Sequence, residues 1–224
     1  MTYRANVFKV LFRMDDHLFR IKQAEKMHNI WLSMLWLIAL SIGVYAIMAS
    51  KGMGTTILSQ GAVWLSAHEY EAVKFWFVIG RTGFGFIFAV CVIFIPSLIL
   101  HYITKIPYQK LLYMQLVVLL LLLLERIIWI PLTLYAGLDW YASPLSLGLI
   151  ASYLTDVSWV IYFFGAISLI QFGVIWFQMT FIKRLSTVNA HWIWTSIILL
   201  HLCQWALAAT LASVDDNMLG RWFR

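Results

Sequence analysis

Four ionisable residues sit inside or at the edge of long apolar runs in this 224-residue chain: Arg81, Glu125, Arg126 and Asp156. The amide of Gln204 lies in a further run. Two cations and two anions can pair with one another, hold a charged ligand or carry a proton. Each costs about 2.5–3.5 kcal/mol to insert at the centre of a bilayer, so such groups are functional candidates by default. Glu125 lies fourteen residues past Leu111, where its run begins. At ~1.5 Å per residue it stands ~21 Å into a hydrocarbon layer of ~30 Å. Arg126 follows it but points about 100° away around the helix. Arg81 and Asp156 fall near the corresponding ends of their own runs, and Gln204 reaches a similar depth. The five residues are therefore expected to form an intramembrane polar cluster in the outer half of the bilayer. Two readings stay open: an ion-pair network that fixes helix register, and a pocket open to the outside that binds a ligand or a partner's charged segment. A proton or ion pathway has less support, since no acid continues the series toward the inner face.

Other chemistry is not written in the sequence. His68-Glu69 has Ala72 where a zinc-binding H-E-x-x-H helix needs its second histidine. There is no G-x-S-x-G nucleophile turn and no phosphate-binding P-loop. Gly80, Gly83 and Gly85 lie inside an apolar run with no strand before it, which suits helix packing better than phosphate binding. His201 is a lone imidazole and reads as a hydrogen-bonded structural histidine. Cys91 and Cys203 sit in apolar runs with no C-x-x-C, so they are expected to be free thiols packed as small hydrophobes. No metal, cofactor or catalytic residue is implied, and the chain reads as a non-enzyme.

The elements that must carry these residues follow from composition. Hydrophobic residues make up 62% of the chain and charged ones 12%, with a mean hydropathy of +0.84. A soluble domain is nearer half apolar and a quarter charged. The excess apolar surface must face lipid. An ordinary cytosolic enzyme, a nucleic-acid-binding domain and a disordered tail are excluded. The expected fold is all-α: a polytopic membrane protein with five spans at 30–50, 78–100, 111–134, 153–182 and 193–211. The first is a signal-anchor helix that stays. Residues 1–29 form a basic leader, 30–211 the membrane domain and 212–224 a short outer tail. Ser66-Ala67-His68-Glu69 matches a capping box and should start the helix that leads into the second span. Pro96 should bend that span. Gly43, Gly83, Gly85, Ala89, Gly165 and Gly173 offer small surfaces for close helix contact.

The net charge of +6 and pI of about 9.4 are informative through their distribution. The leader holds Arg4, Lys9, Arg13, Arg20, Lys22 and Lys26, and the loops that would share its side hold Lys105, Lys110, Lys183 and Arg184. Those ten cations face four on the other side: Lys51, Lys74, Arg221 and Arg224. The split places the N-terminus inside and the C-terminus outside. Trp31, Tyr102, Tyr108, Trp192 and Trp194 would mark the inner interface, and Trp64, Trp76, Trp129, Trp140, Tyr141 and Trp159 the outer one. Within the leader, Phe8, Leu11, Phe12, Leu18, Phe19 and Ile21 recur at near-helical spacing beside the six cations. This suits an amphipathic helix lying on the cytoplasmic membrane surface.

Three stretches carry a family resemblance. They are Gly148-Leu-Ile-Ala-Ser-Tyr-Leu-Thr-Asp156, then Val160-Ile-Tyr-Phe-Phe with Ile175-Trp-Phe-Gln178, and the opening Phe8-Lys-Val-Leu-Phe-Arg-Met-Asp-Asp-His17. Over roughly residues 8–211 the chain resembles the Yip family of five-span membrane proteins (Ypt-interacting, YIPF-type), in particular the bacterial YknW-like branch. The resemblance implies a non-catalytic scaffold in a bacterial plasma membrane. Such a protein binds and helps assemble another integral membrane protein, here subunits of an ABC-type exporter that protects against antimicrobial peptides. It implies no cofactor and no nucleic-acid partner. The alternative is a small transporter or channel built around the polar cluster. An integral membrane enzyme is a third hypothesis, with no nucleophile or metal constellation to support it.

Overall fold

The structure is a computed structural model that describes residues 2–4, 7–12, 14–55, 65–139, 141 and 145–222; the side chains of 2–4, 9, 11, 12, 26 and 215–222 lie outside that description. The chain is all-α, 84% helical. In order, the elements are β1 (Thr2–Arg4), α1 (Val7–Phe12), α2 (Met14–Gln23), β2 (Lys26–His28), α3 (Ile30–Ser50), α4 (Ala67–Thr104), α5 (Tyr108–Ala136), α6 (Gly148–Leu154), α7 (Ser158–Gly165), α8 (Leu169–Leu185) and α9 (Ala190–Trp222). The helices α3, α4, α5 and α9 are long and apolar enough to cross a membrane. They are apolar around most of their circumference, as helices in lipid are. Four such helices mark a polytopic membrane protein.

Helix α3 coincides with the first expected span, and α4, α5 and α9 contain the second, third and fifth. Helix α4 starts where the capping box places it. The Ser66 amide donates to Glu69 Oε2 (2.9 Å), and the Glu69 amide donates to Ser66 Oγ (3.4 Å). Ser66→Ala should cost about 1 kcal/mol of thermal stability, measured by melting in detergent. Helix α4 runs through Pro96 without ending, and beside it Ser97 Oγ donates to the Ile93 carbonyl (2.6 Å). The stretch expected as a single fourth span, 153–182, is broken: it takes in the last two residues of α6, then α7 and most of α8. Helix α9 continues through the expected outer tail as far as Trp222.

The chain divides into two compact units. Unit 1 comprises Met1–Ser41, Phe86–Glu125 and Ile170–His201. Its centre is the α5 segment Leu111–Leu120, every residue of which is buried, surrounded by Ile93, Val174, Phe181 and Ile197. The leader belongs to this core. It is two short helices framed by β1 and β2, which pair in parallel, rather than one continuous helix. Val7, Val10, Leu18, Ile21 and Ala24 are buried within the unit, while Phe8 and Phe19 are exposed. Of the six apolar residues that suggested a lipid-bound helix, Leu18 and Ile21 are therefore covered by the protein, Phe8 and Phe19 are not, and the side chains of Leu11 and Phe12 lie outside the described residues. Asp15 pairs with Arg184 at 2.6 Å, and Lys110 Nζ donates to the Lys22 carbonyl at 3.0 Å. The start of α5 and the end of α8 therefore meet the leader. Of the leader cations, Arg20 and Lys22 are exposed; Arg13 and the side chains of Arg4, Lys9 and Lys26 lie outside the described residues.

Unit 2 comprises Ile42–Gly85, Arg126–Leu169 and Leu202–Arg224. Aromatic contacts run through it: Tyr45 against Phe84, Tyr141 against Tyr162, and Phe163 against both Trp159 and Trp205. Trp159 Nε1 donates to Thr210 Oγ1 at 3.1 Å, tying α7 to α9.

The interruption between α7 and α8 is built from backbone. Leu147 N donates to the Ile167 carbonyl (3.0 Å) and Leu169 N to the Leu145 carbonyl (2.9 Å), an antiparallel bridge centred on Ser146 and Ser168. Away from water, every freed N–H and C=O must find a protein partner, and the 145–147 segment supplies them. Gly148 and Gly165 make this approach possible. A Cβ on Gly148 would collide with the Tyr141 carbonyl oxygen and lie 2.8 Å from the Gly165 Cα.

Candidate functional site

A deeply buried group of polar side chains lies in unit 1. Gln115 on α5, Gln178 on α8 and His201 on α9 are each at most 3% exposed. Gln178 stands between the other two: its amide oxygen accepts from His201 Nε2 (3.0 Å), and its amide nitrogen donates to Gln115 Oε1 (3.5 Å). The chain links three helices otherwise joined by apolar packing. Its two bonds are unequal, because 3.5 Å is at the limit of a hydrogen bond. The Gln115 amide nitrogen has no hydrogen-bond partner among the described residues. His201 is hydrogen-bonded, as its lone position in the sequence suggested. Gln115 was not singled out by sequence, although it is the one amide within the apolar run 111–124.

The five expected cluster residues are distributed over both units. Glu125 is buried in unit 1, at the last position of its α5 segment. Arg81, Arg126, Asp156 and Gln204 belong to unit 2. There, each arginine lies over an aromatic ring of its own helix: Arg81 Cζ is 5.5 Å from the Phe77 centroid, and Arg126 Cζ is 3.9 Å from that of Trp129. Asp156 is exposed in the connection between α6 and α7. Among the described residues, neither Arg81 nor Arg126 forms an ion pair with it. Gln204 is half-buried on α9. The Arg81 guanidinium also abuts the backbone of Gly54, in the turn that follows α3, where Gly54 takes φ +82°.

The packing residues fall into two groups. Gly85, Ala89 and Gly165 are buried in contacts within the chain. Around Gly43, Gly80, Gly83 and Gly173, beyond the local helix backbone, no atom of the described residues lies within 4 Å of the position a Cβ would take, and Gly80, Gly83 and Gly173 are exposed. Cys91 and Cys203 are free, as expected, but exposed on helix surfaces rather than packed. Lipid-facing thiols in apolar helices satisfy the same composition. Among the described residues, no three His, Cys, Asp or Glu side chains come together as a metal site would require. Of the aromatics expected at the interfaces, Trp31, Tyr102, Trp76 and Trp192 are exposed, whereas Trp129 is buried beneath Arg126. Trp64 and Trp140 lie outside the described residues.

Comparison with protein-family models, curated proteins and solved structures finds no match to this chain. The Yip resemblance therefore rests on the quoted sequence stretches alone.

Proposed function

We propose that the protein is a non-catalytic, multi-pass scaffold or accessory subunit that binds another integral membrane protein. The observation that carries this reading is the open glycine surface. Trp76, Gly80 and Gly83 are exposed along one stripe of α4, and the glycines leave a notch that nothing among the described residues fills. In lipid, where helices gain little by hiding apolar area, small residues let a second helix approach closely enough for dispersion contacts to hold it. Glycine also costs up to about 1 kcal/mol in a helix relative to alanine. A helix that carries two on an exposed stripe gains nothing from them unless something docks there.

The finer parts of the reading belong to the same proposal. The chain has five crossings, with α7 and α8 together making the fourth, the N-terminus inside and the C-terminus outside. The leader's contacts with Lys110 and Arg184 support that count, since both residues then lie at the leader's side. The partner is an ABC-type exporter of a bacterial plasma membrane, as the YknW-like resemblance implies. Tagged protein extracted in mild detergent should retain a transporter subunit. Gly80→Ile combined with Gly83→Ile should cut that recovery about tenfold, a loss of ~1.4 kcal/mol of association, with unchanged melting of the chain itself. Full function in cells lacking every candidate partner, with the protein recovered alone, would sink the proposal.

The transporter reading has one observation in its favour, the interruption between α7 and α8, because transporters place binding sites at broken helices. Here the broken ends bond to the 145–147 backbone. Flux in proteoliposomes that vanishes in Arg126→Ala would favour the transporter over the scaffold.

A further inference from the structure

We infer that Arg81 and Arg126 bind the phosphate groups of anionic lipids, in the leaflet that meets the start of α4 and the end of α5. The argument begins with direction. Arg81 lies over Phe77, four residues nearer the start of α4; Arg126 lies over Trp129, three residues nearer the end of α5. Each guanidinium is thus drawn one turn away from the middle of its helix. That is how a cation anchored at membrane depth snorkels toward headgroups. Helices α4 and α5 are joined by the three residues 105–107, so they run antiparallel, and the start of one and the end of the other face the same leaflet. Arg81 also reaches the turn after α3, against the backbone of Gly54. That turn, Lys51–Thr55, is polar at both ends and exposes Lys51.

The second step is charge. A guanidinium presents five N–H donors and stays protonated. Neither arginine forms an ion pair with a carboxylate among the described residues. Phe77 and Trp129 offer π faces, which stabilise the cation but accept few of its donors in plane. Both side chains are half-buried, so bulk water reaches them only in part. The missing component is a planar-fork acceptor carrying negative charge. At the edge of a hydrocarbon layer the abundant group of that kind is the lipid phosphodiester, which arginine engages through two parallel N–H···O bonds. The aromatic ring beneath each guanidinium fixes its plane before the lipid arrives, which lowers the ordering cost of binding.

The test uses the full-length protein, exchanged into mixed micelles of phosphatidylglycerol and phosphatidylcholine. Retained lipids are counted by native mass spectrometry, and inorganic phosphate is added in a parallel arm. Wild type should retain phosphatidylglycerol preferentially. In the Arg81→Gln/Arg126→Gln protein that preference should fall about fivefold or more, corresponding to ~1 kcal/mol. The Arg→Lys pair should lose only part of it, because it keeps the charge without the fork. Arg20→Gln/Lys22→Gln, on the leader, should leave the preference intact. Melting curves on every variant separate lost lipid from lost fold, and the single variants serve if the double fails to fold. An unchanged lipid preference in well-folded variants overturns the inference. Displacement of the lipid by inorganic phosphate also overturns it, since the ligand would then be a free anion.

Discussion

Gly148→Ala should lower the stability of the purified protein by about 3 kcal/mol, the upper end of the range for overpacking. In a chain of this size that shifts the melting temperature by roughly 6–12 °C. The reason is what the new methyl meets. Most overpacked side chains push against other side chains, which can change rotamer. Here the obstacles are the Tyr141 carbonyl oxygen and the Gly165 Cα, both backbone, and the second stands only 2.8 Å away. The Tyr141 carbonyl is also held by Ser146 Oγ at 3.0 Å, and Ser146 is part of the bridge that closes the α7–α8 interruption. Moving one element strains the others. Gly148→Val should be worse again. Gly173→Ala is the matched control: it lies in the second turn of α8, nothing among the described residues beyond the local helix backbone is within 4 Å of the new methyl, and the change should be neutral or up to about 1 kcal/mol stabilising. Equal melting temperatures for Gly148→Ala and Gly173→Ala would show that the 145–148 segment does not pack against Gly165.

The same segment shows where sequence reading reaches and where it stops. Composition and run length located α3, α4, α5 and α9, because a lipid-spanning helix is specified by some twenty consecutive residues with a common property. The start of α4 was legible for a local reason, a reciprocal Ser66–Glu69 cap three residues apart. The interruption at 166–168 was not. Ala166-Ile167-Ser168 contains no proline or glycine, and what opens the helix there is backbone pairing with residues some twenty positions earlier. Gly165 was read as a packing glycine inside an unbroken span; it closes α7 instead, and its bareness serves Gly148. In the leader, helical periodicity was real, but periodicity does not say what covers an apolar face. Leu18 and Ile21 are buried by the protein, while Phe19, one position from Leu18, faces outward.

The candidate site was legible in part for a related reason. Weighing residues by the cost of burying a charge drew attention to Arg81, Glu125, Arg126 and Asp156, and with them to the polar Gln204. Two of these, Arg81 and Arg126, are stacked on Phe77 and Trp129, rings that lie one turn away in the sequence. Those ring partners were readable at i−4 and i+3, the spacing at which helix side chains meet. Gln115 carries no charge and escaped that weighting, yet it has the most complete burial of the three members of the polar chain.

Gln178→Leu should destabilise the protein by roughly 1–2 kcal/mol, whereas Gln115→Leu should be neutral or slightly stabilising. The two residues are the same type, both buried, and bonded to each other, so the difference comes from what each leaves behind. Removing Gln178 takes away the acceptor of His201 Nε2 at 3.0 Å, stranding a buried donor, and also ends the contact with Gln115. An orphaned buried polar group costs about 1–3 kcal/mol, and measured hydrogen bonds between membrane helices lie at or below the lower part of that range. Removing Gln115 breaks only the 3.5 Å bond and abolishes an amide nitrogen that has no hydrogen-bond partner among the described residues. Leucine is close to glutamine in volume and is already the dominant neighbour in that run, so no cavity follows. The Gln178→Leu/His201→Leu pair should recover part of the loss, because replacing both partners with apolar groups removes the stranded donor. Thermal melting of the four proteins in one detergent reads all of these differences. If Gln115→Leu proved as damaging as Gln178→Leu, the 3.5 Å contact would have to be a full hydrogen bond. The chain from α5 through α8 to α9 would then act as one cooperative unit, not as a His201–Gln178 bond with a spectator beside it.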